Sequence, residues 1–256
     1  EFKIGKLIHL IMLDTRQYAR DKQIQPKDYL SKSGFNQAKF YNDLNSENRE
    51  LLGVEQLSWI EDSVLKSNAA WTIFGQQVLM AKLKFPDISK MLKTEEIPDF
   101  LKPYLKFLGL GIPSNLDAWD GYPAARNKLY QLMQNAKKKF ISLAGDTHNS
   151  WVSKLENQSG KKVGIELGAP SVTSPGITDV LNLDEKKFVD SIVKINKELQ
   201  WMEPSNRGYL FLDCMENKII ASFNYIKELN HINSEIGSSQ SFVIHREGFG
   251  LEEIKT

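Results

Sequence analysis

Cysteine and long apolar runs are scarce in this chain of 256 residues. Its single cysteine, Cys214, excludes a disulfide within the chain, so cysteine content does not indicate the compartment. Cys214 follows an apolar run, which is more typical of a small buried hydrophobic residue than of a nucleophile. No apolar run approaches the ~20 residues of a membrane span. We therefore expect no transmembrane segment.

The net charge is close to zero, and histidines are few. The 33 basic and 32 acidic residues leave a net charge of +1, so we expect no electrostatic binding to nucleic acid. Of four histidines, His9 stands in an apolar run and is predicted to be a hydrogen-bonded core residue. His231 and His245 have polar neighbours and are predicted to lie at the surface. His148 is left as the functional candidate.

Hydrophobic periodicity predicts a layered α/β fold. The predicted strands cover residues 2–13, 71–80, 140–144, 151–155, 162–167, 209–213, 218–225 and 241–245. The predicted helices cover residues 53–67, 123–136 and 185–200. Residues 20–50 and 82–120 are polar or rich in proline and are predicted to be long loops, the second with short helices.

The most informative motif is Gly-Asp-Thr-His at residues 145–148, directly after the apolar run at 140–144. Carboxylate oxygen and imidazole nitrogen suit ions such as iron, zinc, manganese or calcium. Gly145 is predicted to let the backbone turn sharply and approach a ligand. An Asp-x-His pair is weak evidence by itself, because such pairs are common on protein surfaces.

Polar residues follow two further predicted strands. Asp14 and Arg16 come after the first strand, and Gln76 and Gln77 stand in the next one. Ligands of open α/β sheets bind outside the carboxyl ends of the strands, where these groups would suit a phosphate ester. The alternatives are a structural ion pair between Asp14 and Arg16 and ordinary polar positions for the two glutamines.

Six elements, taken in order, resemble the PhoD-type family of alkaline phosphatases and phosphodiesterases. Together they span about residues 2–225, and their order is more specific than any one motif. The elements are LDTRQY (13–18), LGVEQLSWI (52–60), WTIFGQQV (71–78), DAWDGYPAAR (117–126), LAGDTHNSW (143–151) and ELGAPSVTS (166–174).

This resemblance implies a metallophosphatase-like α/β/β/α sandwich with a metal site at the strand ends. It implies hydrolysis of phosphate mono- or diesters by metal-activated water, iron and calcium as cofactors, and a small-molecule phosphate ester as substrate. A periplasmic or extracellular location is also favoured. Residues 1–256 would form one catalytic-type domain, the C-terminal part of the family's catalytic domain.

The resemblance also implies roles for individual residues. Asp146 and His148 match metal-site positions, Arg16 would contact the phosphate, and Asp14 is grouped with Arg16 as catalytic. For the indole of Trp119 and the phenol of Tyr122, packing in the core with one polar atom hydrogen-bonded is an equal alternative. The residues implied to bind substrate are Asn149, Trp119, Asp120 and Tyr122.

One departure from the family is serious. Its members carry an upstream cysteine, a GDxxY element and a DDHE-like element, and this sequence has none of them; Cys214 cannot be matched to that cysteine. We therefore expect the sandwich to be incomplete at its N-terminal end and the chain to supply only the second half of a metal site. Either the chain is a piece of a longer enzyme, or the upstream half is a separate chain. The alternative is a non-catalytic relative that binds a phosphate or glycan ligand.

Overall fold

A computed structural model describes residues 1–88, 91, 107, 110–229 and 235–254. Its strands are β1 (Phe2–Ile4), β2 (Ile8–Met12), β3 (Leu30–Ser31), β4 (Gly34–Phe35), β5 (Trp71–Gln76), β6 (Phe140–Ala144), β7 (Ser150–Glu156), β8 (Lys162–Gly168), β9 (Leu199–Glu203), β10 (Gly208–Cys214), β11 (Lys218–Ile226), β12 (Ile236–His245) and β13 (Leu251–Ile254). Its α-helices are α1 (Gln37–Leu44), α2 (Gly53–Leu65), α3 (Pro123–Asn135), α4 (Ile177–Val180) and α5 (Glu185–Ile195).

A seven-stranded sheet forms the centre of the fold, in the order β1-β2-β5-β6-β8-β7-β9. Strands β2, β5, β6 and β8 are parallel, so their carboxyl ends share one edge. Strand β1 is antiparallel to β2, and β7 is antiparallel to both β8 and β9. The parallel strands are rich in apolar residues, as expected of strands covered on both faces.

A second, antiparallel sheet of β10-β11-β12-β13 packs against one face of the first. The hydrophobic cluster between the sheets includes Ile141 and Ile165 from the large sheet and Phe223 and Phe242 from the small one. Alternation along β11 places Phe223 and its second neighbours inward, so that strand is half-buried in a regular pattern.

Helices cover the opposite face of the large sheet. A larger cluster joins Ile60 of α2, Leu129 of α3 and Phe188 of α5 to Phe74 and Phe140 of the strands. The described residues thus form helix, sheet and sheet layers, and the predicted layered α/β class is confirmed. Among these residues, no helix has the length and apolarity needed to cross a membrane.

Several predicted elements are close to those observed. Helices α2 and α3 were predicted nearly to their observed ends, and the strands predicted at 151–155, 162–167, 209–213 and 218–225 are observed as the hairpins β7–β8 and β10–β11. In α2 the polar residue Gln56 is buried, whereas the apolar residue Leu65 is 61% exposed. Cys214 is half-buried against the cluster between the sheets.

Other predicted elements were wrong. The strand at 2–13 is the hairpin β1–β2, which turns at Gly5 with a φ of +54°. The loop at 20–50 contains α1, whose Phe40 and Leu44 pack in a third small cluster. The helix at 185–200 ends at Ile195, because the side chain of Asn196 bonds to the carbonyl of Ile192 and the chain then enters β9.

The remaining predictions concern the histidines and the last strands of the chain. His9 is buried in β2 and its Nε2 lies 2.8 Å from Glu1 Oε2, which confirms the predicted core histidine. His245 is 41% exposed at the end of β12, as predicted. Strand β13 was not predicted. His231 and much of the loop at 82–120 lie outside the described residues.

Candidate active site

The loops that follow the parallel strands meet at one edge of the large sheet. The backbone after β2 is held there by two glutamine side chains. Gln56 Oε1 accepts the amide of Asp14 at 2.8 Å, and Gln77 Oε1 accepts the amide and hydroxyl of Thr15 at 3.0 and 2.6 Å. Both amides also donate to this loop, Gln56 to the Asp14 carbonyl and Gln77 to the Leu13 carbonyl. Gln77 is therefore a clamp rather than an ordinary strand residue.

Asp14 shapes the same loop through its carboxylate. Its Oδ1 accepts the backbone amides of Arg16 and Gln17, each at 2.8 Å. These bonds, with Gln17 first, hold the pKa of Asp14 below its ordinary value, because they stabilise the charged form. The ion pair with Arg16 that the spacing allowed is not formed. Asp14 instead fixes the direction in which Arg16 leaves the loop.

Arg16 lies between two carboxylates. One guanidinium nitrogen donates to Asp117 and another to Asp146, so the side chain links the loop after β2 to the loop after β6. Asp117 also accepts a bond from Arg20. Arg16 is about one-third exposed, which leaves its guanidinium accessible to a ligand. The structure thus brings Arg16 and Asp146 together, as the strand order predicts.

The motif at 145–148 has an unusual backbone. Asp146 and His148 both adopt the left-handed region, each with a φ of 61°. This conformation is uncommon for residues other than glycine, although Asp and His adopt it more often than most, and such outliers often occur at functional sites. Gly145 does not adopt it, and a Cβ there would meet no atom within 4 Å. The sharp turn predicted to depend on Gly145 is therefore made by the residues after it.

The side chains of this turn fit metal ligation. The Nδ1–H of His148 donates to the carbonyl of Pro175 at 2.9 Å, so its Nε2 carries the free lone pair. The Asp146 carboxylate is 55% exposed. Thr147, between them, accepts a bond from the Trp151 indole. Two ligand atoms are too few for a tight site, and the described residues hold no group of three or more acidic, histidine or cysteine side chains suited to a metal.

Asn149 is buried beside this turn. Its Nδ2 donates to the carbonyl of Pro204 at 2.8 Å. A Cβ on Gly176 would lie 2.5 Å from that nitrogen and 2.7 Å from the same carbonyl, so only glycine fits there. The amide is thus engaged within the protein, although Asn149 still lines the cleft described below. Its predicted contact with substrate stays a prediction.

Trp119 and Tyr122 are fully buried, which favours the packing alternative for both rings. Trp119 Nε1 donates to Gln76 Oε1 at 2.6 Å, and the Tyr122 hydroxyl donates to the Asp21 carbonyl at 2.7 Å. Both rings support the loops of the site from inside the core. Direct contact with substrate would require a different position for either ring.

Asp120 is buried in an ion pair. Its Oδ1 accepts from Arg126 at 2.8 Å and its Oδ2 accepts the amide of Leu83, also at 2.8 Å. Burial raises the pKa of Asp120, and the nearby Arg126 opposes that rise. Burying both charges carries a desolvation cost that offsets much of their attraction, so the pair is weak evidence for added stability. Asp120 also lies on the wall of the cleft.

A chain of buried polar groups runs beneath the site. Gln76 Nε2 donates to Ser142 Oγ at 2.7 Å, and Ser142 donates to Glu166 Oε1 at 3.0 Å. The two carboxylate oxygens of Glu166 accept the amides of Met80 and Ala81 at 2.7 and 2.8 Å. Burial raises the pKa of Glu166 to about 7, although these bonds favour its charged form. Strands β5, β6 and β8 are thereby joined below the loops.

A cleft of about 610 Å³ opens beside the turn at 145–148. Asp146, Thr147 and Asn149 line one end of it, whereas most of its remaining walls are apolar. Arg16 borders the same turn through its bond to Asp146. Polar side chains thus stand at one end of the cleft, next to Arg16, and mostly apolar side chains line the rest.

Some site residues were missed by sequence reasoning. Asp117, Gln56 and Glu166 all stand inside the six motifs quoted above, but none was assigned a role. The available signal was the presence of a polar residue at a position predicted to be buried, as for Glu166 within the apolar strand β8.

Comparisons with known proteins agree with this architecture. The family model of PhoD-like phosphatases matches residues 1–223. Alkaline phosphatase D of Bacillus subtilis (strain 168) is 28% identical over 260 residues, which cover 100% of this chain and 39% of that protein. A solved structure titled "Structure of PhoD" matches with a TM-score of 0.72 and 25% identity, over 100% of this chain and 43% of that one. The chain thus spans about two fifths of the length of these relatives. With a family match over most of its residues, the chain belongs to the PhoD-like phosphatase family.

Proposed function

We propose that this chain forms part of a metal-dependent phosphoesterase that hydrolyses phosphate mono- or diesters. The observation that carries the proposal is the meeting of Arg16 and Asp146 at the carboxyl ends of parallel strands. An arginine for phosphate and a carboxylate for metal stand side by side there. The similarity to alkaline phosphatase D supports the same reaction class.

Asp146 and His148 are the proposed metal ligands in this chain. The free Nε2 of His148 and the half-exposed carboxylate of Asp146 suit the iron and calcium that the family resemblance implies. When bound, the metal supplies positive charge that lowers the pKa of water and polarises phosphoryl oxygens. The bond from His148 to Pro175 would set the orientation of the ring during metal binding.

Arg16 is the proposed phosphate-binding residue. Its guanidinium fork can bond two phosphoryl oxygens, and its charge would stabilise the negative charge that develops on them. Asp14 is assigned as a positioning residue, since its carboxylate holds the amide of Arg16. The amide and hydroxyl of Thr15 both donate to Gln77, and these bonds would hold the loop in position when substrate binds.

The remaining metal ligands are proposed to come from an upstream half of the same protein. The relatives are more than twice as long as the matched region, which leaves room for such a half. This chain would then supply the second half of one active site. A periplasmic or extracellular location remains the proposal that follows from the family resemblance.

The test compares Asp146→Asn and His148→Gln with Asp213→Asn, which alters an exposed residue of β10 in the second sheet. We expect both site variants of the metal-loaded protein to lose iron or calcium. Their kcat/KM for p-nitrophenyl phosphate and bis-p-nitrophenyl phosphate should fall by roughly a hundredfold or more. The Asp213 variant should keep both properties. Full hydrolysis and full metal content in the site variants would refute the assignment, and ligand binding without turnover in the unaltered protein would favour the non-catalytic alternative.

A further inference from the structure

The cleft beside the proposed phosphate site has a polar end and a body that is mostly apolar, although the uncharged polar residues Gln23, Gln25, Ser114 and Asn115 also line it. Its polar end is formed by Asp146, Thr147 and Asn149. Its volume of about 610 Å³ lies within the range typical of small-molecule sites. A group attached to a phosphate at Asp146 would therefore extend from the tip into the cleft.

One wall of the cleft is an extended segment with unusual hydrogen bonding. Five successive amides, from Met80 to Lys84, donate to side chains rather than to a neighbouring strand. The acceptors are Glu166 for the first two, at 2.7 and 2.8 Å, and three further side chains. Those are Glu198 for Lys82 at 3.0 Å, Asp120 for Leu83 at 2.8 Å and Asn196 for Lys84 at 2.7 Å.

This bonding fixes which side chains face the cleft. Alternate residues of this segment line the cleft, namely Leu79, Ala81, Leu83 and Phe85. The opposite side is lined by Ile177, Val180 and Leu181. The apolar wall is therefore preorganised by buried polar groups behind it, which lowers the entropic cost of binding a ligand.

Charge further restricts what the cleft can hold. Among its described lining residues there is no lysine or arginine, and the two acidic ones are Asp120 and Asp146. Asp120 is already paired with Arg126. A second phosphate or a carboxylate in the cleft would be desolvated without a cationic partner, which is costly. An uncharged apolar group would meet no such penalty.

We propose that this cleft binds the apolar alcohol portion of the phosphate ester. The substrate class would then be phosphate esters of uncharged apolar alcohols, not nucleotides or polyphosphates. This inference rests on the proposed function, since it places the phosphate at Asp146 and Arg16.

The test measures binding of alkylphosphonates, which carry one chain and resist hydrolysis, to the metal-loaded protein by calorimetry. From methyl- to hexylphosphonate, we expect Kd to fall roughly two- to fourfold for each methylene, because each leaves water for an apolar wall. An oligoether phosphonate of equal length and an ω-carboxyhexylphosphonate should bind no better than methylphosphonate. A Kd that is independent of chain length, or tighter binding of the carboxylated chain, would overturn the proposal.

A variant pair separates the cleft from general apolar binding. Val180→Asn places an amide in the cleft at a residue that is 38% exposed, and Val54→Asn makes the same change on α2 at a residue that is 76% exposed. We expect only the first to remove the dependence of Kd on chain length, whereas Val54→Asn should bind every phosphonate as the unaltered protein does. Equal behaviour of the two variants would contradict the assignment of the cleft.

An uncharged fluorescent probe, N-phenyl-1-naphthylamine, distinguishes failure of the proposed phosphate site from failure of the proposed apolar cleft. Probe binding that Val180→Asn weakens, together with no binding of any phosphonate, would leave the apolar cleft standing and refute the proposed phosphate site. Phosphonate binding and ester hydrolysis without any probe binding or chain-length effect would refute the cleft and keep the proposed function.

Discussion

A single carboxylate, that of Asp117, holds both arginines next to the proposed phosphate site. It bonds Arg16 and Arg20 at once, and the carbonyl of Asp117 also accepts from Arg20 at 3.1 Å. Bonds between two charged groups are stronger than neutral ones. Asp117 therefore aims the guanidinium of Arg16 toward the turn that carries Asp146.

Replacing this carboxylate should affect catalysis more than folding. In Asp117→Asn, the neutral amide holds Arg16 less firmly, so we expect kcat/KM for p-nitrophenyl phosphate to fall about tenfold. Asp43→Asn is the matched control, because Asp43 is equally exposed at 33% and pairs with Lys39 on the surface. Steady-state kinetics and thermal melts of both variants are compared. An unchanged kcat/KM in a folded Asp117 variant would show that Arg16 needs no such support.

At the scale of elements, the segment after β5 depends on side chains instead of a strand partner. Glu166 of β8 is fully buried, and its carboxylate accepts the backbone amides of Met80 and Ala81. Burial outweighs the three hydrogen bonds and raises the pKa of Glu166 from 4.5 to about 7. The folded state therefore binds this proton more tightly than the unfolded state.

This shift predicts a pH dependence of stability. The contribution of protonated Glu166 is full below pH 4.5 and is lost as the pH rises to about 7. Glu166→Gln does not titrate, so wild type should lose about 2 kcal/mol of unfolding free energy relative to this variant between about pH 5 and about pH 8. Urea denaturation at the two pH values measures the difference. Glu61→Gln, at an exposed position on α2, is the control, and its unfolding free energy should fall between the two pH values as that of wild type does. An equal fall in Glu166→Gln would exclude Glu166 as the source of the pH dependence.

At the scale of the whole molecule, the two sheets are joined by an aromatic cluster. Phe223 of β11 is fully buried, and its ring centroid lies 5.1 Å from that of Trp201 of β9 and 6.1 Å from that of Phe242 of β12. Tyr225 adds a polar tie, since its hydroxyl bonds Ser150 Oγ at 2.9 Å. The second sheet thus supports the strands whose far ends carry the site.

Removing one ring of this cluster should destabilise the molecule without changing the site directly. We expect Phe223→Ala to lower the free energy of unfolding by about 3–5 kcal/mol, because a cavity forms between the sheets. Phe211→Ala removes the same ring from an exposed position of β10 and should cost less than about 0.5 kcal/mol. Equal losses in denaturant unfolding would contradict the packing role assigned to Phe223.

Local patterns were sufficient for much of the fold and for the first site residues. The period of 3.6 in α2 and α3 depends on neighbours a turn apart, and the turn between β7 and β8 depends on a few adjacent residues. The strand-end positions of Arg16 and Asp146 followed from the same local reasoning. Their contact is seen only in the structure, and their proposed roles stay predictions.

Other features depended on residues far apart in the chain. The region after residue 195 was predicted to continue as helix, but pairing with β7 draws it into β9. By sequence Gln77 is typical of an ordinary polar strand residue, but in the structure it bonds the backbone of the loop at residues 13–15. Trp119 could have lined a pocket or packed in the core, and only its burial under the loops decided between them.

The sequence by itself determined the layered α/β class, the family and the identity of the ligand-type residues at the strand ends, because periodicity and motif order are properties of the linear chain. The tertiary structure decided what those residues face. Several contacts join segments many residues apart. They are the bonds of Arg16 to Asp117 and Asp146, the bond of His148 Nδ1 to the Pro175 carbonyl, and the bonds of Glu166 to the wall of the cleft. Such contacts exist only once the sheet has aligned its strand ends, since long-range hydrogen bonds and burial have no signature in the local sequence.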